Sequence, residues 1–331
     1  MTAQNNMTIL HAADREALGT NYYDLMFREG ALFGHKTEVA MNELSIGNDG
    51  SGNTLVPDSM EHRIIQKLAE NNVVRRMATV VHTDNGEHTI PLLNSMSEAK
   101  WMSEGHSLPM GEASISTLRL KAHKLGLMLR MSSALANDAG VDMAAFLTDA
   151  FARQMAAAEE DVFLNGNGVD RPLGILSGNG AMVGVTAKKA DSITADELLA
   201  LYHSLDEPYR QRAVFMMHED TANALRLLKD ENGRYLWREA LGGQPDMLLG
   251  RPAYVSRFMP KMAAGAKPVL FGDLSQYWIA DRGNRSLRRY DEIFADRGEI
   301  GFSMIERIDG KLLIPEAVKV VRMAEGGGDG E

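Results

Sequence analysis

The residue types that most often carry chemistry are sparse in this chain and badly spaced for it. There is no cysteine, which excludes thiolate nucleophiles, zinc ribbons, iron–sulfur clusters and disulfides. The nine histidines are scattered, with no HExxH and no His/carboxylate cluster at ligand spacing. His82, His88 and His106 fall in a stretch expected to be β and read as polar residues on an exposed hairpin. The run Asn165-Gly166-Asn167-Gly168, with Gly174 beyond, lacks G-K-[ST] and follows a helix instead of opening one, so it reads as a helix stop and not a phosphate cradle. Glu159, Glu160 and Asp161 form an acidic run late in that helix, where like charges oppose the helix dipole. Two readings stand for them: a solvated face, or contact with a basic residue on another subunit. Ser and His positions alone carry no Ser-His-Asp geometry. The 21 methionines fit core filling, and Met also suits adaptable interfaces. No catalytic, cofactor-binding or metal-binding residue can be named, so the expectation is a protein that is not an enzyme and holds no cofactor.

A chain of 331 residues and 36.3 kDa is about two domains' worth. At 44% hydrophobic and 24% charged residues it can bury a sizeable core without disulfide or metal staples. Lys+Arg at 35 against Asp+Glu at 45 gives a net charge of −10, which disfavours tight phosphate binding because that needs clustered cations. No apolar run approaches the roughly 18 residues of a membrane span. The opening MTAQNNMTILHAADREAL has neither the basic flank nor the apolar stretch of a secretory signal. A soluble, cytoplasmic, multi-part protein is expected.

The elements that position these residues follow from periodicity. Residues 1–51 keep no sustained period and end in the Gly/Ser/Asn cluster 47–53, which predicts an arm and a flexible joint. Asp58 and Glu61 make a capping box for a helix over 59–70 with Ile64, Ile65 and Leu68 on one face. Asp84-Asn85-Gly86 between Thr79-Val80-Val81 and Thr89-Ile90 predicts a tight β-hairpin. Alternation resumes at Leu118, Leu120 and Ala122, then changes parity to Leu125, Leu127 and Leu129, so a bulge or bend is expected near His123-Lys124. Asp142 can cap a helix of about 22 residues carrying Met143, Leu147, Phe151, Met155, Ala158 and Val162, with Asn165-Gly166 as a left-handed stop. Such a helix is about 33 Å long and suits a strut. Beyond it, Thr194 and Glu197 form a second capping box for a helix that must end before Pro208. A strand over 213–217 leads into a helix through Ala222, Leu225 and Leu228. Strand-like pieces follow near 252–256, 268–280, 287–294, 299–307, 311–314 and 317–322. Periodicity alone predicts a mixed α+β chain with two lobes.

Taken in order, these pieces form a recognisable series. A Gly-rich joint enters Leu55-Val56-Pro57, and the polar loop carries Trp101-Met-Ser-Glu104-Gly105. Lys124-Leu125 enters a strand, and Asp138 precedes the long helix. Glu160-Asp161-Val-Phe163-Leu164-Asn165-Gly166 runs on to Pro172-Leu-Gly174-Ile175-Leu176. Downstream lie Leu228-Lys-Asp230 through Trp237, Leu249-Gly250-Arg251-Pro252, Phe271-Gly272-Asp273-Leu274, and Arg307-Ile-Asp-Gly310 ahead of Pro315-Glu-Ala317. Over about residues 52–323 the chain resembles the major capsid protein of tailed bacteriophages, with the Hong Kong 97-type shell fold.

That resemblance implies an α+β subunit with an N-terminal arm (1–56), an extended β-hairpin E-loop (80–125) and a peripheral domain with a long spine helix (57–79, 126–184 and 285–310). It further implies an axial domain (185–284 and 311–323) and a flexible tail (324–331). A long polar-tipped hairpin is poorly stabilised alone and is best explained by lying across a neighbouring subunit. The candidates for inter-subunit contact are Lys100, Trp101, Glu104, Gly105, Glu159, Glu160, Asp296 and Arg297. Trp101 is the first anchor, and Gly105 serves a turn.

The implied role is a structural one. Pentamers and hexamers of the chain form an icosahedral shell in the virion, assembled in the host cytoplasm around double-stranded DNA that is contacted non-specifically. The implied partners are further copies, a portal, decoration proteins and a separate scaffolding protein, or none, because residues 1–51 are too short and aperiodic for a fused scaffold. Some members cross-link a loop lysine to an asparagine on a peripheral strand. Lys100 supplies an amine, but no Asn follows Asn284, so no cross-links are expected. An encapsulin-type shell around enzyme cargo and a two-domain cytoplasmic enzyme are the competing readings.

Overall fold

Leucine, phenylalanine and methionine recurring every four residues between 147 and 155 demand one continuous helical face. The computed structural model supplies it and describes residues 58–83, 87–95, 101, 114–134, 143–229, 232–240, 244–283, 285–290 and 293–325. Its helices are α1 (Asp58–Asn71), α2 (Val73–Met77), α3 (Met143–Asn165), α4 (Ala195–Ser204), α5 (Glu207–Arg210) and α6 (Glu219–Arg226). The strands are β1 (Thr79–Thr83), β2 (Glu87–Ser95), β3 (Ser114–Lys121), β4 (His123–Ser132), β5 (Met182–Thr186), β6 (Val214–Met217) and β7 (Trp237–Arg238). They continue as β8 (Asp246–Leu248), β9 (Arg251–Val255), β10 (Val269–Gly272), β11 (Tyr277–Arg282), β12 (Ser286–Tyr290), β13 (Glu299–Leu312) and β14 (Val318–Arg322). The described residues fall into two compact units, one within 1–71, 125–156 and 284–306, the other within 72–124, 157–283 and 307–331.

In the first unit β4 and β12 both pair with β13, β12 antiparallel from Ser286↔Ile305 to Tyr290↔Gly301. The alternation of β4 sets one face. Leu125, Leu127, Leu129 and Met131 pack on a core of Ile64, Leu68, Leu147, Phe151, Met155, Ile300, Phe302 and Met304. Full burial of each such side chain contributes about 1.5–3 kcal/mol, which is why α1 and the first part of α3 hold to this sheet.

The second unit is organised by a seven-stranded mixed sheet in the order β5-β14-β10-β6-β9-β8-β7. All four residues of β6 and all four of β10 are buried, the mark of central strands covered on both faces. Phe215 stacks on Phe271 with ring centroids 4.3 Å apart, and Tyr202 of α4 stacks on Phe271 in turn. The predicted cap of α4 is present as a reciprocal box. Thr194 Oγ1 accepts from Glu197 N at 3.3 Å, and Glu197 Oε2 accepts from Thr194 N at 2.8 Å. The helix ends at Ser204, and Pro208 stands in the first turn of α5.

Four expectations change. The predicted β-hairpin around Asp84-Asn85-Gly86 is not made by its flanking strands, although the turn itself lies outside the described residues. β1 instead runs parallel to β11 from Thr79↔Trp278 to Thr83↔Arg282. β11 is almost wholly buried, so its edge must be covered by a strand, and that need overrides the local turn signal. β2 pairs with β3, from Glu87↔Lys121 to Ser95↔Ser114.

The parity change near His123 is a break at Ala122 between β3 and β4, which take different partners. At that junction Asp309 Oδ2 accepts from Lys121 N at 2.6 Å.

The pieces expected at 299–307 and 311–314 are one strand, β13. Gly310 lies inside it because a Cβ there would stand 2.4 Å from the Tyr277 hydroxyl, a close approach only glycine permits.

Gly166 ends α3 without a left-handed backbone. The positive φ falls at Gly168, 75°, and at Asp170, 54°. Gly166 is required by space: a Cβ there would meet Pro172 O at 2.2 Å and Val162 O at 2.5 Å. Asp58, Glu61 and Asp142 as caps rest on side chains outside the described ones.

Candidate functional site

Glu159 and Glu160, expected on an exposed face or against a basic residue of another subunit, are buried within this chain, and the basic residue is intramolecular. Arg75, in α2, donates Nε and Nη2 to the Glu159 carboxylate at 2.7 and 2.6 Å. The same guanidinium donates Nη1 and Nη2 to Asp281 of β11 at 2.8 and 3.0 Å. Asn72 Nδ2 donates to Glu159 Oε2 at 3.2 Å, and the Asn72 side-chain oxygen accepts from Arg75 N, capping α2. Burial by itself would lower the Arg75 pKa, but the Glu159 and Asp281 carboxylates hold it well above its ordinary value. One planar fork thus ties together α2, the late turns of α3 and β11, all in the second unit. An acidic pair near a helix C-terminus opposes the dipole unless a cation faces it, and Arg75 is that cation.

Glu160 points elsewhere. Its carboxylate accepts from Val73 N at 3.3 Å. Burial pushes the carboxyl above its ordinary pKa, against the Ser256 hydroxyl, the Val73 amide and the nearby Arg257 and Arg76, which pull it down. Asp309 is likewise pushed up by burial, opposed by the Lys121 and Gly310 amides and by Lys311 and His123.

Of the other expected contact residues, Lys100, Glu104 and Gly105 lie outside the described residues. Trp101 is described and fully exposed, in the segment linking β2 to β3. Asp296 and Arg297 sit on an exposed 3₁₀ turn, Ala295–Arg297, closed by Gly298 at φ 64°, with Arg297 Nε 3.6 Å from Asp296 Oδ2. Of the five candidates among the described residues, Trp101, Asp296 and Arg297 are exposed, whereas Glu159 and Glu160 are buried. Arg75 and Asp281 were missed from sequence because partners 84 and 206 residues away leave no local signal. The one hint was Arg75-Arg76 directly after two valines at a helix start.

Among the described residues no group of three or more His, Asp or Glu stands at metal-holding spacing, and no helix is long and apolar enough to cross a membrane. What this architecture offers is surfaces, and its relatives agree. A solved structure described as the capsid of an empty GTA particle computed with C5 symmetry superposes with a TM-score of 0.66 at 29% identity, over 76% of this chain and 89% of that one. Structures from Gordonia phage Cozz and Mycobacterium phage Adephagia share the fold at TM-scores of 0.56, with 16% and 13% identity. They cover 77% and 78% of this chain and 87% and 92% of theirs. The fold is the α+β, Hong Kong 97-type fold of phage capsids.

The major capsid protein of Klebsiella oxytoca phage phiKO2 is 24% identical over 247 residues, 71% of this chain. The match spans 57% of that relative's length. The Phage capsid family profile matches residues 52–323, and the chain belongs to that family.

Proposed function

We propose that this chain is the major shell subunit of a phage particle, assembling through rings of five and six copies into an icosahedral shell around double-stranded DNA. The observation that carries the reading is the likeness to the C5-symmetric GTA capsid over 89% of that chain at 29% identity. The arm, E-loop, peripheral and axial assignments given above (1–56; 80–125; 57–79, 126–184 and 285–310; 185–284 and 311–323) belong to the same proposal. So do a scaffolding protein, a portal and decoration proteins as partners, the virion as location and the host cytoplasm as the place of assembly.

Physical chemistry supports the reading at Trp101. A fully exposed tryptophan leaves a large apolar surface in water, and tryptophan is favoured at the anchors of interfaces. Lys100, Glu104 and Gly105 beside it, and Asp296 and Arg297 on their exposed turn, complete the proposed contact set. Glu159 and Glu160 leave it, because their carboxylates already have partners inside the chain. A net charge of −10 suits a lining that contacts DNA weakly and without regard to sequence. The test is velocity sedimentation of the purified chain, with negative-stain microscopy of fast fractions. Closed shells or five- and six-membered rings are expected. A chain that stays monomeric or dimeric with the neighbouring phage proteins added overturns the reading.

A further inference from the structure

Among the described strands β2 and β3 pair only with each other, as a separate two-stranded sheet. A ribbon of this kind is marginally stable alone, so something other than a backbone ladder must fix it to the second unit. Near its root, Ile90 and Leu120 are buried with Ala280 of β11, and Leu118, Trp278 and Leu313 pack around them. Apolar burial is non-directional. It holds the root down without fixing the angle at which the ribbon leaves. The apolar cover also ends early: Thr117 is exposed and Ile115 is 65% exposed.

Direction comes from two side chains of β13. Asp309, buried at 1% exposure, accepts from Lys121 N through Oδ2 at 2.6 Å and from Gly310 N through Oδ1 at 2.8 Å. Two residues on, Lys311 Nζ donates to Arg119 O at 2.6 Å. Alternate residues of a strand share a face, which puts Asp309 and Lys311 on one side of β13. In an antiparallel pair every second residue directs its N–H and C=O away from the partner strand, and Lys121 and Arg119 are two apart. An anion takes the N–H and a cation takes the C=O, the groups a further strand would have bonded. Side chains of opposite sign thus cover this edge of β3 in place of a strand. His123 Nε2 stands 3.9 Å from Asp309 Oδ1, just past the break at Ala122 between β3 and β4.

We propose that Asp309 and Lys311 are positioning residues. Together they set the angle of the β2–β3 ribbon, and with it the direction in which Trp101, in the segment linking the two strands, is presented. A ladder of backbone bonds locks a strand along its length, whereas two side-chain bonds at the root fix the ribbon at one point. Without them the ribbon turns as one body about that root and keeps its own pairing. The consequence for assembly rests on the shell reading above: an arm already held in one direction loses less freedom when it binds a second copy.

The chain has no native cysteine, so spin labels can be placed through Thr117→Cys on β3 and Lys189→Cys beyond β5, both exposed positions. Dipolar distance measurement on the full, unassembled chain should give one narrow distance. Adding Asp309→Ala and Lys311→Met should widen or shift that distance. Hydrogen exchange at the Lys121 amide should quicken roughly tenfold or more, the scale of one lost charge-assisted bond. The other paired amides of β2 and β3 should keep their protection. Lys311→Met alone, at a half-buried position, serves if the Asp309 change unfolds the chain, and it should widen the distribution to a smaller degree. An unchanged distance in both variants would overturn the proposal, because the apolar root would then suffice. Loss of protection along the whole ribbon would overturn it too, since the ribbon would have melted and not turned. Particles of the Asp309→Ala/Lys311→Met chain should form more slowly than wild type, and equal rates with a widened distance would overturn the positioning role. A wild-type chain that forms no particles overturns the shell reading, and the distance measurement still decides what holds the ribbon.

Discussion

Replacing Arg75 by methionine removes a buried cation from between two buried carboxylates. Arg75, Glu159 and Asp281 are 5%, 0% and 3% exposed. The guanidinium makes four charge-assisted hydrogen bonds of 2.6 to 3.0 Å. Such bonds are worth about 1.5–3 kcal/mol each in difference measurements, but their sum overstates the effect because desolvating the ions opposes it. The controlling quantity is what remains after truncation. Two uncompensated carboxylates in a dry site cost about 3–5 kcal/mol for a broken buried pair, a shift of about two to nearly four powers of ten in the unfolding equilibrium at about 1.4 kcal/mol per tenfold. Urea unfolding of the unassembled chain, followed by circular dichroism at neutral pH, reads this directly. Replacing all three residues by apolar ones of similar volume should recover most of the loss, since well-packed apolar substitutes for a buried ion cluster are often neutral or stabilising. The non-additivity is the signature. An Arg75→Met cost under about 1 kcal/mol, the range of exposed pairs, would refute the reasoning, as would a triple variant worse than the sum of its parts.

Trp101→Ala should leave the melting temperature of the free subunit unchanged and weaken assembly by about 2 kcal/mol or more per contact, as for an anchor; unaltered particle yield in a concentration series would refute it. Glu160→Gln tests the carboxyl raised by burial. Its proton is held more tightly folded than unfolded, so its stabilising contribution is present at low pH and lost as pH rises through the raised value. The stability of the variant relative to wild type should therefore grow from acidic to neutral pH, and a pH-independent difference in melting temperature counts against it. Gly310→Ala forces a methyl against the Tyr277 hydroxyl, which is held by its bond to Leu173 O at 3.0 Å. It should cost about 1–3 kcal/mol by overpacking, with partial relief from Tyr277→Phe; additive losses would deny the clash. Denaturing gels of assembled wild-type particles should show one band near 36.3 kDa, and a ladder would reveal covalent joining.

The contrast between what could be read in advance and what could not is clearest in α3 and its acidic run. Leu147, Phe151 and Met155 announce a long helix because a 3.6-residue period is a local property. The same sequence left Glu159 and Glu160 with two readings, a solvated face or a contact with a basic residue of another subunit. It takes Arg75, brought in from 84 residues away, to make their burial tolerable. Trp101 was identifiable from sequence as a large apolar residue in a polar loop. The exposed edge of β5 was not, because Met182 and Val183 look like core residues until the strand order leaves them at the rim.

Local chemistry in the sequence determined the elements: the Thr194–Glu197 box, the alternation of β4 and the spacing of motifs over residues 52–323. It also determined that no cysteine chemistry takes part. Only the tertiary structure decided partners. β1 lies on β11 in place of the turn-directed hairpin, Gly310 sits under Tyr277, and Arg75 bridges two carboxylates from distant segments. The physical reason is range. Capping and periodicity act within a few residues, whereas strand pairing, close packing and the neutralising of buried charge depend on which segments the whole fold brings together.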